Sequence, residues 1–69
     1  MVNTLLLDEK IKTSGLKSGF IVDKLGISRN SFGKKKKNVH PFKKAEIYVL
    51  CDLLKITDDA EKTSIFFAE

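Results

Sequence analysis

Between Ser18 and Lys37 the chain reads SGFIVDKLGISRNSFGKKKK, two short amphipathic stretches on either side of the triplet Gly26, Ile27, Ser28. Two helices meeting across so short a bend need one residue at positive φ, and only glycine supplies it without a Cβ penalty. Gly26 stands at that point, and the apolar Ile27 behind it locks the corner. Ser28 is a favourable N-cap for the second helix, which turns Phe32 inward and Arg29, Asn30, Ser31 and Lys34 outward. This helix is short and weak through about Lys35. Gly33 costs up to about 1 kcal/mol against alanine, and four consecutive lysines repel one another, so its far end is expected to fray.

The rest of the chain also reads as short helices. Asn3 or Thr4 caps a first one, with Leu7, Ile11 and Leu6 on its apolar edge and Gly15 ending it. Lys17 or Ser18 opens the second, buried through Phe20, Ile21 and Leu25 and ended by Gly26. Asn38 to Pro41 is a loop, because the residue before a proline resists helical geometry and asparagine tolerates turns. A fourth helix from about Lys43 to Lys55 carries Ile47, Leu50, Cys51 and Leu54 on one face and Val49 and Leu53 on another, so it is expected at the centre. Thr57 or Asp58 begins the last, with Asp58 and Glu61 in capping-box spacing and Ala60, Ile65 and Phe66 toward the core. Phe66 and Phe67 are adjacent, about 100° apart on a helix, so one of them is left over.

Composition bounds what such a chain does. Sixty-nine residues make a single domain, 1–69, too small for a catalytic cleft of ordinary size. No secretory leader and no run of eighteen apolar residues is present, so a cytoplasmic location is expected. The lone cysteine, Cys51, lies among Val49, Leu50, Leu53 and Leu54 and reads as inert core. His40 has no second ligand at metal spacing, and no nucleophile-base arrangement, carboxylate pair or phosphate-cradling glycine loop can be assembled. The sequence therefore predicts no enzyme, and no cofactor, metal, membrane or small-molecule substrate.

Charge is more informative. Met1 to Ile27 carries +1, Ser28 to Lys44 carries +7 with no acid, and Ala45 to Glu69 carries −4, within a total of +4. One sign in the middle and the other behind it make a bipolar surface, suited to a polyanion or an acidic protein face. Arginine forks onto guanine and asparagine pairs with adenine, so Arg29, Asn30 and Ser31 at the leading outer turn are candidates for base edges. Lys34, Lys35, Lys36, Lys37, Lys43 and Lys44 would neutralise phosphates, giving affinity without sequence reading.

The segment Leu16 to Thr57, LKSGFIVDKLGISRNSFGKKKKNVHPFKKAEIYVLCDLLKIT, with the closing SIFFAE, resembles the small helix-turn-helix proteins of temperate phages of Gram-positive bacteria. These are related to the Cro and CI repressors, and within the group the chain is most similar to the antirepressors called modulators of repression. The resemblance implies an all-α fold of five short helices, a lambda-repressor-like helix-turn-helix domain, and a role in the choice between lysis and lysogeny. It also implies two mechanisms. Cro-like members bind operator DNA, whereas the modulator type binds the DNA-binding domain of a CI-type repressor and keeps it from its operators.

Departures from the DNA-binding pattern favour the second. Ser18 and Gly19 stand where a phosphate-contacting glutamine is common, Val22 where a small residue allows close helix approach, and Lys35 or Lys36 at an inner position usually apolar. Val22 is expected either to push its helix away or to lie at the surface, and the reading helix to be poorly braced. Weak bracing harms base discrimination. Surplus aromatics, Phe67 with Tyr48 or Phe42, are residue types that anchor protein interfaces. The expected partner-binding set is thus Arg29, Asn30, Ser31, Lys34, Val39, His40 and Phe67. For direct operator binding it is Arg29, Asn30, Ser31, Lys34, Lys35, Lys36, Lys37 and Lys43.

Overall fold

The computed structural model describes residues 1–68, and among them the chain is all-α. Five helices follow in order: α1 (Thr4–Ser14), α2 (Ser18–Leu25), α3 (Arg29–Lys36), α4 (Lys44–Leu54) and α5 (Asp59–Phe66). No strand occurs among the described residues, and no helix there is long and apolar enough to cross a membrane.

Local chemistry sets the boundaries. Asn3 Oδ1 accepts the Leu6 N–H at 3.2 Å to start α1, Ser28 Oγ accepts the Ser31 N–H at 3.1 Å to start α3, and Asp58 Oδ1 accepts the Ala60 N–H at 3.1 Å to start α5. α1 ends on Gly15 at φ 76°. The next three helices share one termination. At Gly26, Asn38 and Lys55 the backbone turns left-handed, at φ 71°, 64° and 56°. The following N–H then reaches back five residues, Ile27 to Val22 O, Val39 to Lys34 O and Ile56 to Cys51 O, at 3.2, 2.9 and 2.8 Å. These are Schellman closures, and they hold orphan carbonyls that would otherwise face the core or solvent unpaired.

α1 and α2 both pack on α4, which contributes the buried Leu50, Cys51 and Leu54. Leu7, Ile21, Leu50 and Ile65 have no appreciable exposure and form the centre, one from each of α1, α2, α4 and α5. Phe42, from the loop before α4, stands edge-on to both Phe32 and Phe66 with ring centroids 6.1 Å apart in each pair, joining α3 to α5. The start of the chain closes the bundle. Asn38 Oδ1 accepts the Val2 N–H at 2.8 Å while its Nδ2 donates to the Val2 carbonyl at 3.0 Å, and the Asn3 N–H donates to Ile65 O at 2.6 Å.

Several sequence expectations are corrected. Phe20 is not part of the buried face. It is 44% exposed, with the Lys24 ammonium 5.4 Å above its ring, because Ile21 and Val22 take the inward positions of α2. Val22 does not reach the surface, being only 7% exposed. Ala60 is exposed, and Glu61 reaches across to Lys10 of α1 at 3.0 Å. Leu6 lies at the edge of exposure. α3 is helical through Lys36, with the Asn38 closure and two ion pairs at its far end.

Candidate functional site

α3 is the element on which both expected contact surfaces depend, so its two faces matter. Phe32, Lys35 and Lys36 are spaced i, i+3, i+4 and share the inner face. Phe32 is buried. Lys35 turns inward, its ammonium 2.6 and 2.7 Å from the two carboxylate oxygens of Glu46 on α4. Lys36 lies 2.9 Å from Asp8 on α1, with its ammonium 5.1 Å from the Phe32 ring centroid, and its carbonyl accepts from the Thr4 hydroxyl. Beside Phe32, the inner positions 35 and 36 are thus filled by ion pairs instead of apolar groups. This overturns the expectation of a poorly braced helix, and it also removes Lys35 and Lys36 from the cations turned toward an outside phosphate.

Glu46 is the most constrained charged group of the site. Oε1 accepts the Lys43 N–H at 2.8 Å as well as the Lys35 ammonium, and the residue is 7% exposed. Burial pushes its carboxyl up, but the bond from Lys35, the bond from the Lys43 backbone and the charges of both lysines outweigh burial and hold it below its ordinary value. One carboxylate therefore starts α4 and fastens α3 to it.

The outer face carries the expected contact residues in two groups. Arg29, Asn30 and Lys34 are exposed, while Ser31 is half-buried and its hydroxyl accepts from that of Ser28 at 3.1 Å. Arg29 leans back over α2. Its Nη2 lies 2.8 Å from where a Cβ on Gly19 would stand, so the glycine in the place of a larger residue makes room for the guanidinium. Val39, His40 and Phe67 form the second group, beyond the C-terminal end of α3, which is about 12 Å long.

This second group borders a cavity of about 460 Å³ lined by His40, Pro41, Phe42, Ile47, Phe66 and Phe67, together with Met1, Val2 and Asn38. Phe67, one of the lining residues, is 56% exposed, and Val39, outside the lining, is 61% exposed. Val39 follows directly on the groove residue Asn38. Lys34, Lys37, Lys43 and Lys44 are exposed around α3 and this groove, and have no carboxylate partner among the described residues.

Met1, Pro41, Ile47 and Phe66 were not among the expected site residues. The adjacency of Phe66 and Phe67 signals a surplus aromatic, but nothing in the linear order tells that the first residues and the last helix meet beside the α3–α4 loop. Tyr48, the other aromatic candidate, is exposed on α4 with the Lys62 ammonium 6.0 Å from its ring centroid. Phe42 is committed to the aromatic stack.

The chain matches no protein-family model, no curated protein and no solved structure. Among the described residues no group of three or more His, Cys, Asp and Glu side chains is placed to hold a metal ion.

Proposed function

We propose that this chain is a regulator of a phage genetic switch, an antirepressor that binds the DNA-binding domain of a CI-type repressor in the host cytoplasm. By covering that domain it blocks operator binding and promotes the lytic choice. The observation that carries the reading is the apolar groove with Phe67 exposed on its wall, reaching Asn38 at the end of α3. Base edges are read from the leading turn of α3, whereas Phe67 lies at the end of α5 beside the groove, and a protein interface needs a desolvated apolar centre with polar groups around it. Arg29, Asn30, Ser31 and Lys34 then serve as the polar margin, and His40 with the groove as the anchor site.

The test is direct mixing of the chain with the DNA-binding domain of a CI-type phage repressor, followed by size-exclusion chromatography and titration calorimetry. A stoichiometric complex that competes with operator DNA is expected. Two separate peaks and no heat overturn the proposal.

One observation favours a second reading, a Cro-like repressor that binds its operator unaided: Arg29 and Asn30 are exposed in the first turn of α3, where base edges are read. That reading requires operator binding by the chain alone at about 10⁻⁸ M or tighter. With Lys35 and Lys36 tied inside, Lys34, Lys37, Lys43 and Lys44 remain of the expected phosphate cations. The slope of log K against log salt is then no steeper than about −4.

A further inference from the structure

A second groove, separate from α3, runs between α1 and α5. α1 lines it with Leu6, Glu9, Lys10 and Thr13, the i, i+3, i+4, i+7 face of that helix, and α5 with Ala60, Glu61, Ser64 and Ile65. Thr13, Ala60 and Ser64 are short, which leaves a depression of about 480 Å³ over Leu6 and the buried Ile65. The charged groups around it are mostly of one sign. Glu9, Asp58 and Glu61 line the groove, with Lys10 the single ammonium among the lining residues, 3.0 Å from Glu61, and Asp59 beside them lies 4.0 Å from Lys62, which leaves Glu9 and Asp58 without a lysine among the described residues.

We infer that this groove docks a cationic amphipathic helix of a partner protein, apolar residues inward and lysine or arginine on its flanks. A depression between two helices, with Leu6 at its surface and the short Ala60 beside it, takes the apolar stripe of a third, read as i, i+3, i+4, i+7 anchors. The eight residues of α5 give a groove about 12 Å long, enough for two turns of such a helix. The carboxylates select its flanks and repel polyanions and acidic lipid surfaces. The basic helix α3 of a second copy does not offer the required combination, since it displays Arg29, Asn30 and Lys34 outward and no leucine or isoleucine. No α3 residue lines the groove, so the inference does not rest on the repressor-binding reading.

The probe is a peptide of about 18 residues, long enough to hold a helix, with leucines at i, i+3, i+4 and i+7 and lysines on both flanks. Its counterpart carries glutamates in place of the lysines. Titrated into the ¹⁵N-labelled full chain, the lysine peptide is expected to shift Leu6, Thr13, Ala60 and Ser64 together, and the glutamate peptide to leave them unmoved. Glu9→Lys, a fully surface change, is expected to weaken the lysine peptide about tenfold, and Lys37→Glu, outside the groove, to leave it unchanged. Equal binding of both peptides, an unchanged affinity in Glu9→Lys, or shifts centred on Val39 and Phe67 overturn the inference. So does concentration-dependent self-association of the chain alone through these same four residues.

Discussion

The Lys35 ammonium of α3 spans both carboxylate oxygens of Glu46 on α4, at 2.6 and 2.7 Å, in a pair whose side chains retain only 11% and 9% of their exposure. Such a pair is worth little over a well-packed apolar substitute, but removing one partner strands the other charge in a dry site. Lys35→Met is therefore expected to lower unfolding free energy by about 3 kcal/mol in urea denaturation. Lys35→Met combined with Glu46→Leu is expected to recover part of that loss, the remainder being the Lys43 N–H that Glu46 caps. Equal stability of Lys35→Met and the parent chain would mean that the pair is open in solution.

The same carboxylate gives stability a pH dependence of fixed sign. Glu46 in the folded chain titrates below its ordinary value, so the unfolded state binds its proton first as pH falls. The stabilisation is fully present above the ordinary glutamate range, about 4.3, and is lost as pH falls through the lower folded value. Melting temperature should hold level from neutrality to about pH 5 and then fall, and Glu46→Gln should flatten the fall. A Glu46→Gln profile as steep as that of the parent would assign the acid sensitivity to other carboxylates.

What the sequence tells and withholds follows the range of each interaction. Asn3, Gly15, Gly26, Ser28 and Asp58 mark helix ends because a cap involves neighbours within a few residues, and all five stand at the boundaries they announce. The sidedness of the helices is less legible. Phe20 and Val22 both suit a helix face, and which of them turns inward is decided by the α2–α4 contact, not by α2. Lys35 and Lys36 read as free cations in a basic run because their acids, Glu46 and Asp8, lie 11 and 28 residues away. The groove beside Phe67 is the least legible of all, since Met1, Pro41, Ile47 and Phe66 come from four separate parts of the chain.

Asn38 combines two roles that substitution separates. It holds φ 64°, a conformation that suits glycine, and its amide makes both hydrogen bonds to Val2. Asn38→Gly keeps the backbone free of strain and loses only the bonds, at about 1 kcal/mol. Asn38→Ala loses the bonds and adds left-handed strain, at about 2 kcal/mol. Thermal or urea unfolding should rank parent above glycine above alanine, and an alanine variant as stable as glycine would show that the backbone relaxes out of the left-handed state.

Lys55 ends α4 at φ 56° with its side chain exposed. Nothing in the closure uses the lysine itself, because its backbone N–H and that of Ile56 make the bonds to Asp52 O and Cys51 O. Lys55→Gly is expected to raise stability by about 0.5 kcal/mol, the relief of strain exceeding the entropy that glycine adds to the unfolded chain. A loss of stability would mean that the unfolded-chain entropy outweighs that relief.

Phe67 separates folding from function most cleanly. Its backbone N–H closes α5 on Thr63 O at 3.0 Å, but its ring is 56% exposed and takes no part in the stack of Phe32, Phe42 and Phe66. Truncation to alanine leaves that backbone bond and the core in place, so unfolding free energy should move by less than about 0.5 kcal/mol. An aromatic ring at the centre of an interface, by contrast, is worth about 2 kcal/mol on truncation, roughly thirtyfold in affinity. Phe67→Ala should therefore weaken the proposed repressor complex by that factor in calorimetry while leaving any operator affinity of the chain alone unaltered. If affinity for the repressor domain is unchanged, the groove beside Phe67 is not the contact surface. If the variant unfolds, the ring belongs to the core after all.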